Sequence, residues 1–523
     1  MPHAPVAKSE LFARLAEGHA ARVTVVTPNA RLARELAREF DAGQVAKRLK
    51  VWETADILPL AAFVERLYED ALYAGLAAKL PLLLTDAQAR SLWEAVIRES
   101  RWGEALLAVP QAAGEAARAW ALAQGWRIDG ALGAFPGNDD AAAFADWAKD
   151  YARRSSQAGA ADRARLADVV APLLKEEALR KPERLVLYAF DEFKPQDRDF
   201  LEACEKAGIE LRACAPARRR GKAVKHVYPS AREELDAAAQ WARAKLEAGA
   251  SRIGVVGPQL GERRKEVARV FARTLHPGHN LPGAEPRALP FNISLGAPLE
   301  DYPIVRAALC ILEFAGGPIP FERASRLIRS PMIAGASAEM ALRALLDARL
   351  RRSAPAKLGL GKLIALVEGA PVLRRHLEKL FAAPRPDSAS PHDWARHFTA
   401  LLDAMGFPGE RTLDSAEHQS RAKLNECLAE LAKLERVAPR MSFGRALASL
   451  RRLCSETLFQ PESPDAPIQV LGVLESLGLG FDALWVSGLT DEAWPMHTRA
   501  NPFIPPALQR KAGIREASPE ATL

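Results

Sequence analysis

Six strand-like segments of four to six residues each limit most tightly how this chain can fold: Val23–Thr27, 185–189, 209–213, Ile253–Val256, 468–473 and 483–487. They are short and rich in β-branched or large aliphatic residues, which suits strands buried inside a sheet. Pro28-Asn29 breaks the first of them. The residues that follow set Leu32, Leu36 and Phe40 on one helical face and arginines on the others, which makes a strand–loop–helix unit. Strands that alternate with helices are joined by crossovers rather than tight turns, and such connections favour parallel sheets. The expected fold class is therefore α/β with parallel sheets.

Two long stretches interrupt that alternation. From about 57 to 165, and again from about 303 to 455, alanine and leucine recur at helical spacing, with tryptophan in the first stretch. Thr85 precedes a clear helix as its cap, and Asp86 places negative charge at the positive end. Arg218-Arg219-Arg220-Gly221-Lys222 reads as a basic connector, and the dense Pro and Gly of 277–298 read as a loop. At roughly 150 residues per domain, 523 residues suggest about three or four domains. The expected organisation is a first core from 1–70 and 166–220 with a helical insertion at 71–165. A second core, from 221–315 and 464–523, carries a helical insertion at 316–463.

Bulk properties exclude several classes. No apolar run reaches the roughly 18–20 residues needed to span a bilayer, and the first residues contain acids and no apolar core of a secretory signal. A cytoplasmic location is the expectation. The five cysteines, Cys204, Cys214, Cys310, Cys427 and Cys454, are scattered and contain no CxxC, so neither a disulfide framework nor a zinc site is expected. A metal at His392 and His397 is not expected either. The net charge of +7 suits contact with phosphate backbones and equally suits a solvated surface.

The motifs narrow this further. Residues 467–510 read as a strand, a turn with Leu479 and Phe481, a second strand, and then Gly488, Glu492 and Pro495. Upstream, 185–196 is LVLYAFDEFKPQ, a buried strand ending in Asp191-Glu192-Phe193 with Gln196 beyond. Val25-Val26-Thr27-Pro28-Asn29 leads into a helix, and RIGVVGPQLGERR spans 252–264. Taken in this order, the segments resemble motifs Ia, II, IV and V of superfamily 1 helicases of the UvrD/RecB type. With Trp494-Pro495 and Asn501-Pro502-Phe503, the chain is most similar to the AddB-type inactivated helicases grouped as bacterial DNA repair proteins. The resemblance implies two RecA-like P-loop-fold cores, each with a mainly helical insertion. It also implies a DNA partner, as a single strand or duplex end, and a possible helicase–nuclease partner subunit. It makes Asp191 and Glu192 a vestigial Walker B pair. It points to Thr27, Asn29 and Arg31 as DNA contacts, followed by Gln196, Trp494 and Arg499.

Departures from the pattern bear on the chemistry. Leu477 stands where motif V has lysine, Gly480 where it has glutamate, and Pro258 where motif IV has a nucleotide-contacting arginine. A P-loop needs G-x-x-x-x-G-K-[ST], whose amides cradle phosphates and whose lysine reaches the outer ones. Residues 1–22 contain no Gly-Lys. Gly361-Lys362 has Ala356 and Leu363 at the other required positions, and Gly221-Lys222 has Pro216 and Ala223. No D…ExK set for a nuclease metal site is found, although the family commonly carries such a domain beyond the helicase-like part. No catalytic residue and no cofactor is therefore expected. Three readings stand: a non-catalytic DNA-binding protein of repair or recombination, a helicase or nuclease component with residual activity, and a protein scaffold without DNA contact.

Overall fold

The computed structural model describes residues 4–135, 138–216, 221–258, 260–279, 281, 289–462, 466–493 and 499–518. The chain divides into two compact units, one formed by Met1–Ser294 with Asp465–Leu523 and the other by Leu295–Pro464.

The first unit holds two larger parallel sheets, besides a two-stranded parallel ladder of Leu82–Leu83 with Ala160–Ala161. One has strands β1 (Ala4–Pro5), β2 (Val23–Thr27), β3 (Ile57–Pro59), β4 (Arg184–Tyr188) and β5 (Glu210–Cys214), ordered β1–β5–β4–β2–β3 with every neighbouring pair parallel. The other has β6 (Ile253–Val256), β7 (Phe291–Ile293), β8 (Ile468–Leu471) and β9 (Ala483–Val486), ordered β9–β6–β8–β7 and again all parallel. All five residues of β2 are buried, as a strand flanked on both sides and covered on both faces must be. One face meets the helix Ala30–Ala46, whose Leu32, Leu36 and Phe40 pack with Val25, Val186 and Tyr188. The other meets Phe63, Val64 and Leu67 of Leu60–Ala71 together with Phe200 and Leu201. The chain is thus α/β with parallel sheets, as its strand-and-helix alternation implies.

The first helical block packs Asp86–Glu99, Val109–Gly125 and Asp139–Gln157 around an aromatic core. Thr85 starts it with a reciprocal cap: its Oγ accepts the Gln88 N–H at 3.3 Å and Gln88 Oε1 accepts the Thr85 N–H at 3.0 Å. Trp93 and Tyr151 stack with centroids 4.1 Å apart, and Trp120 and Trp147 are buried beside them. These tryptophans fill the core and leave no ring faces for bases. The chain returns to this block at its end. Phe503, Ile504, Leu508 and Ile514 enter the same core, and Gln509 Nε2 donates to the carbonyls of Asn501 and Ile504. Among the described residues of the stretch 464–523, expected to belong with the second sheet, β8 and β9 contribute strands to it.

The second unit is helical, from Pro303–Gly316 to Phe443–Glu456, with two small antiparallel ladders. It begins at Leu295, upstream of the 316 expected, because Pro303–Gly316 packs against Pro391–Ala404 and Ser415–Lys433. Trp394, Phe398 and Phe443 meet in its core. Gly361-Lys362 lies within the helix Leu360–Leu366. Among the described residues, no helix is long and apolar enough to cross a membrane.

Candidate functional site

Ligands of parallel α/β sheets collect at the carboxyl ends of the strands, so the ends of β2 and β4 are where the singled-out residues are to be judged. β2 ends at Thr27, which is fully buried, and its hydroxyl donates to the Asn29 carbonyl at 2.8 Å. Asn29 is exposed and caps Ala30–Ala46, its Oδ1 accepting the Leu32 N–H at 2.9 Å. Arg31 is half-buried and donates through Nη2 to Gln469 Oε1 on β8 at 3.0 Å. Burial lowers the pKa of Arg31, against the opposing pull of Glu475. Thr27 therefore shapes the turn, while Asn29 and Arg31 present polar groups at its surface and its flank.

At the end of β4, Ala189 takes a left-handed backbone (φ 59°) and turns the chain sharply. Phe190 and Phe193 then stack at 4.7 Å. Asp191 between them in sequence is exposed, and Glu192 pairs with Arg515 Nε at 2.8 Å. Gln196 is turned into the fold: its Nε2 donates to the Ala164 carbonyl and to Asp168 Oδ2, both at 2.8 Å. Asp168 also holds Arg127, which bridges to Asp199. Gln196 thus ties Pro195–Lys206 to the segment before β4. Arg499 is exposed and its backbone N–H donates to the Glu516 carbonyl at 2.9 Å. Trp494 lies outside the described residues.

The structure adds Lys8, which the motifs do not single out, and shows what the motif V turn packs against. β1 passes through only Val6 and Ala7 before the helix Lys8–Leu15 begins. Lys8 there contacts Glu39 and, at 3.3 Å, the Tyr188 hydroxyl at the end of β4. Gly478 has φ 76°, and a Cβ on it would stand 3.2 Å from Leu32 Cδ1 and 3.7 Å from the Ala189 Cβ. The turn therefore approaches the first sheet as closely as only glycine permits. Leu479 follows into the cluster of Val25, Leu32 and Tyr188. Arg252, just before β6, pairs with Glu35 and Glu39. The carboxyl end of the first sheet is thus covered by the chain's own Leu479, Arg31–Gln469 and Arg252–Glu35 contacts. Lys8 gave no signal, because a two-residue strand containing proline has no periodicity to detect.

Among the described residues, no group of three or more His, Cys, Asp or Glu side chains converges to hold a metal ion. Compared with known proteins, the chain matches no family model and no curated protein.

Proposed function

We propose that this chain is a non-catalytic DNA-binding protein or subunit of DNA repair or recombination. In this reading its two larger parallel sheets are degenerate RecA-like cores of the AddB-type inactivated helicases. The observation that carries the reading is that Gly478, Leu479 and the Arg31–Gln469 contact pack against the carboxyl ends of β2 and β4. An ATPase of this kind keeps that space open for a triphosphate and surrounds the outer phosphates with a glycine-rich loop. Here the loop after β1 is two residues long, and Lys8 is already engaged by Glu39 and Tyr188. The order of the strand-end segments along the chain and the parallel pairing of their strands support the helicase-like ancestry.

In this reading Asn29, Arg31 and Arg499 contact DNA phosphates and Trp494 is a further DNA contact, while Thr27 and Gln196 hold the elements that present the first two and the Asp191 turn. An exposed amide at a helix N-terminus is a suitable phosphate partner. The protein works in the cytoplasm alongside a helicase–nuclease partner. The test is binding of a labelled forked DNA at increasing salt. Release of counterions from even a few phosphates lowers affinity at least about tenfold between roughly 50 and 200 mM salt. An affinity unchanged over that range, or no binding to any DNA structure, contradicts the proposal and leaves the scaffold reading in its place.

A further inference from the structure

After β5 the chain crosses to the second sheet through residues 221–228, Gly-Lys-Ala-Val-Lys-His-Val-Tyr, which form neither helix nor strand. Residues 221–227 are all exposed, with Val224 at 66% and Val227 at 84%. The end of this segment meets Trp485 on the edge strand β9. The Tyr228 ring lies 6.0 Å from Trp485, and the His226 ring lies 6.4 Å from it with planes parallel to within 3°. Trp241 supports Trp485 at 5.5 Å, and the Trp485 indole N–H is anchored on Ser487 Oγ at 2.9 Å.

The spacing decides what these rings do. The core stack of Trp93 on Tyr151 has centroids 4.1 Å apart and is buried. At 6.4 Å the parallel His226 and Trp485 rings are offset, so each overlaps only part of the other. The same segment carries cations. Lys222 and Lys225 are exposed and have no ion-pair partner among the described residues, and Lys245 lies over Trp241. Of the acids at the ends of β9, Glu234 accepts the Gly488 N–H and Asp482 accepts the Ser251 and Arg252 N–H groups. An exposed His226 ring beside the half-buried Tyr228 and Trp485 rings, with unpaired cations in the same segment, matches a polyanion that carries flat apolar faces. Nucleobases offer those faces only when unpaired, because a duplex keeps them stacked internally.

We propose that His226, Tyr228 and Trp485 form a stacking platform for unpaired bases, with Lys222 and Lys225 holding the adjoining phosphates. This rests on the reading of the chain as DNA-binding and adds the class of DNA, a single strand, and a second place of contact away from the β2 and β4 turns.

The test compares binding of the full chain to an oligothymidylate of about 15 nucleotides with binding to an abasic oligomer of equal length and charge. The wild-type chain binds the thymidylate about tenfold or more tightly than the abasic strand, the size expected of a stacked base. His226→Ala, at an exposed position, and Tyr228→Leu each remove most of that preference while leaving the abasic strand unaffected. Lys222→Ala with Lys225→Ala weakens both oligomers alike and flattens the salt dependence, by about 0.7 in slope for each lysine that meets a phosphate. Equal binding of the two oligomers by the wild type, or an unchanged preference in both aromatic variants, overturns the platform. In that case retained fork binding leaves the wider reading standing, whereas loss of all DNA binding in the wild type removes both.

Discussion

Glu339→Ala is expected to cost the Leu295–Pro464 unit about 3–5 kcal/mol, the usual penalty for leaving one partner of a buried ion pair uncompensated. Its partner Arg343 has only 2% of its side chain exposed, and Glu339 5%. Arg343 donates through Nε and Nη2 to Glu339 Oε2 at 3.2 and 3.0 Å, and Nη2 also reaches the Ala334 carbonyl. The same carboxylate accepts the N–H groups of Val372 and Leu373 at 2.6 and 3.0 Å. Those two groups open the helix Pro371–Ala382, which has no side-chain cap of its own at Ala370. Alanine at 339 therefore strands a cation and uncaps a helix in a single change. Arg343→Met leaves the carboxylate its two backbone donors and fills similar volume, so its cost is smaller. Urea unfolding reads the difference directly: with a slope of roughly 1–3 kcal/mol per molar, the Glu339→Ala midpoint falls by about 1 M or more. A midpoint shared with the wild type contradicts the buried-pair assignment.

Phe503→Ala is the second large effect, about 3–5 kcal/mol for a large aromatic removed from a core. Phe503 stacks parallel to Phe144 at 6.0 Å and meets the edge of Trp147 at 5.6 Å. It anchors the returning segment in the first helical block together with Ile504 and Leu508. Its loss exposes the helix Pro506–Ala512, so trypsin cuts sooner at Arg510 and Lys511. The near-ultraviolet signal of the tryptophan-rich block changes at the same time. If the segment belonged to the second sheet instead, that aromatic signal would stay as it is in the wild type.

What could be read from the residues divides along the middle and the edges of each sheet. β2, β4, β5, β6 and β8 are interior strands; burial on both faces writes an almost unbroken apolar run into β2 and β6, while β5 alternates buried Leu211 and Cys214 with half-buried Glu210 and Arg212. β1, β3 and β7 are edge strands of two or three residues. β1 and β3 each contain a proline, which edges tolerate, and backbone pairing alone makes them strands. β9 is an edge that could be read, because its aliphatic residues remained. The same distinction holds at the site. The Thr27–Asn29 turn is local, since a strand end, a proline and a helix cap lie within a few residues of one another. The Arg31–Gln469 contact joins residues 438 positions apart, and nothing in either segment names the other. Gln196 was read as facing DNA, yet it reaches back to Asp168. A glutamine beside Pro195 at a helix start looks the same from sequence whichever way it turns. Leu479, taken as a motif position, covers the end of the first sheet because Gly478 lets the chain approach it.

A calorimetric titration of magnesium–ATP into the full chain, with and without forked DNA, is the most direct check on the proposal that the chain holds DNA strands without turning over nucleotide. No saturable binding is expected up to about 1 mM, a limit near −4 kcal/mol, and Asp191→Ala leaves the trace unchanged. Saturable binding well below that concentration, abolished by Asp191→Ala, would show that the first sheet still receives a triphosphate and would contradict the reading of its crevice as closed.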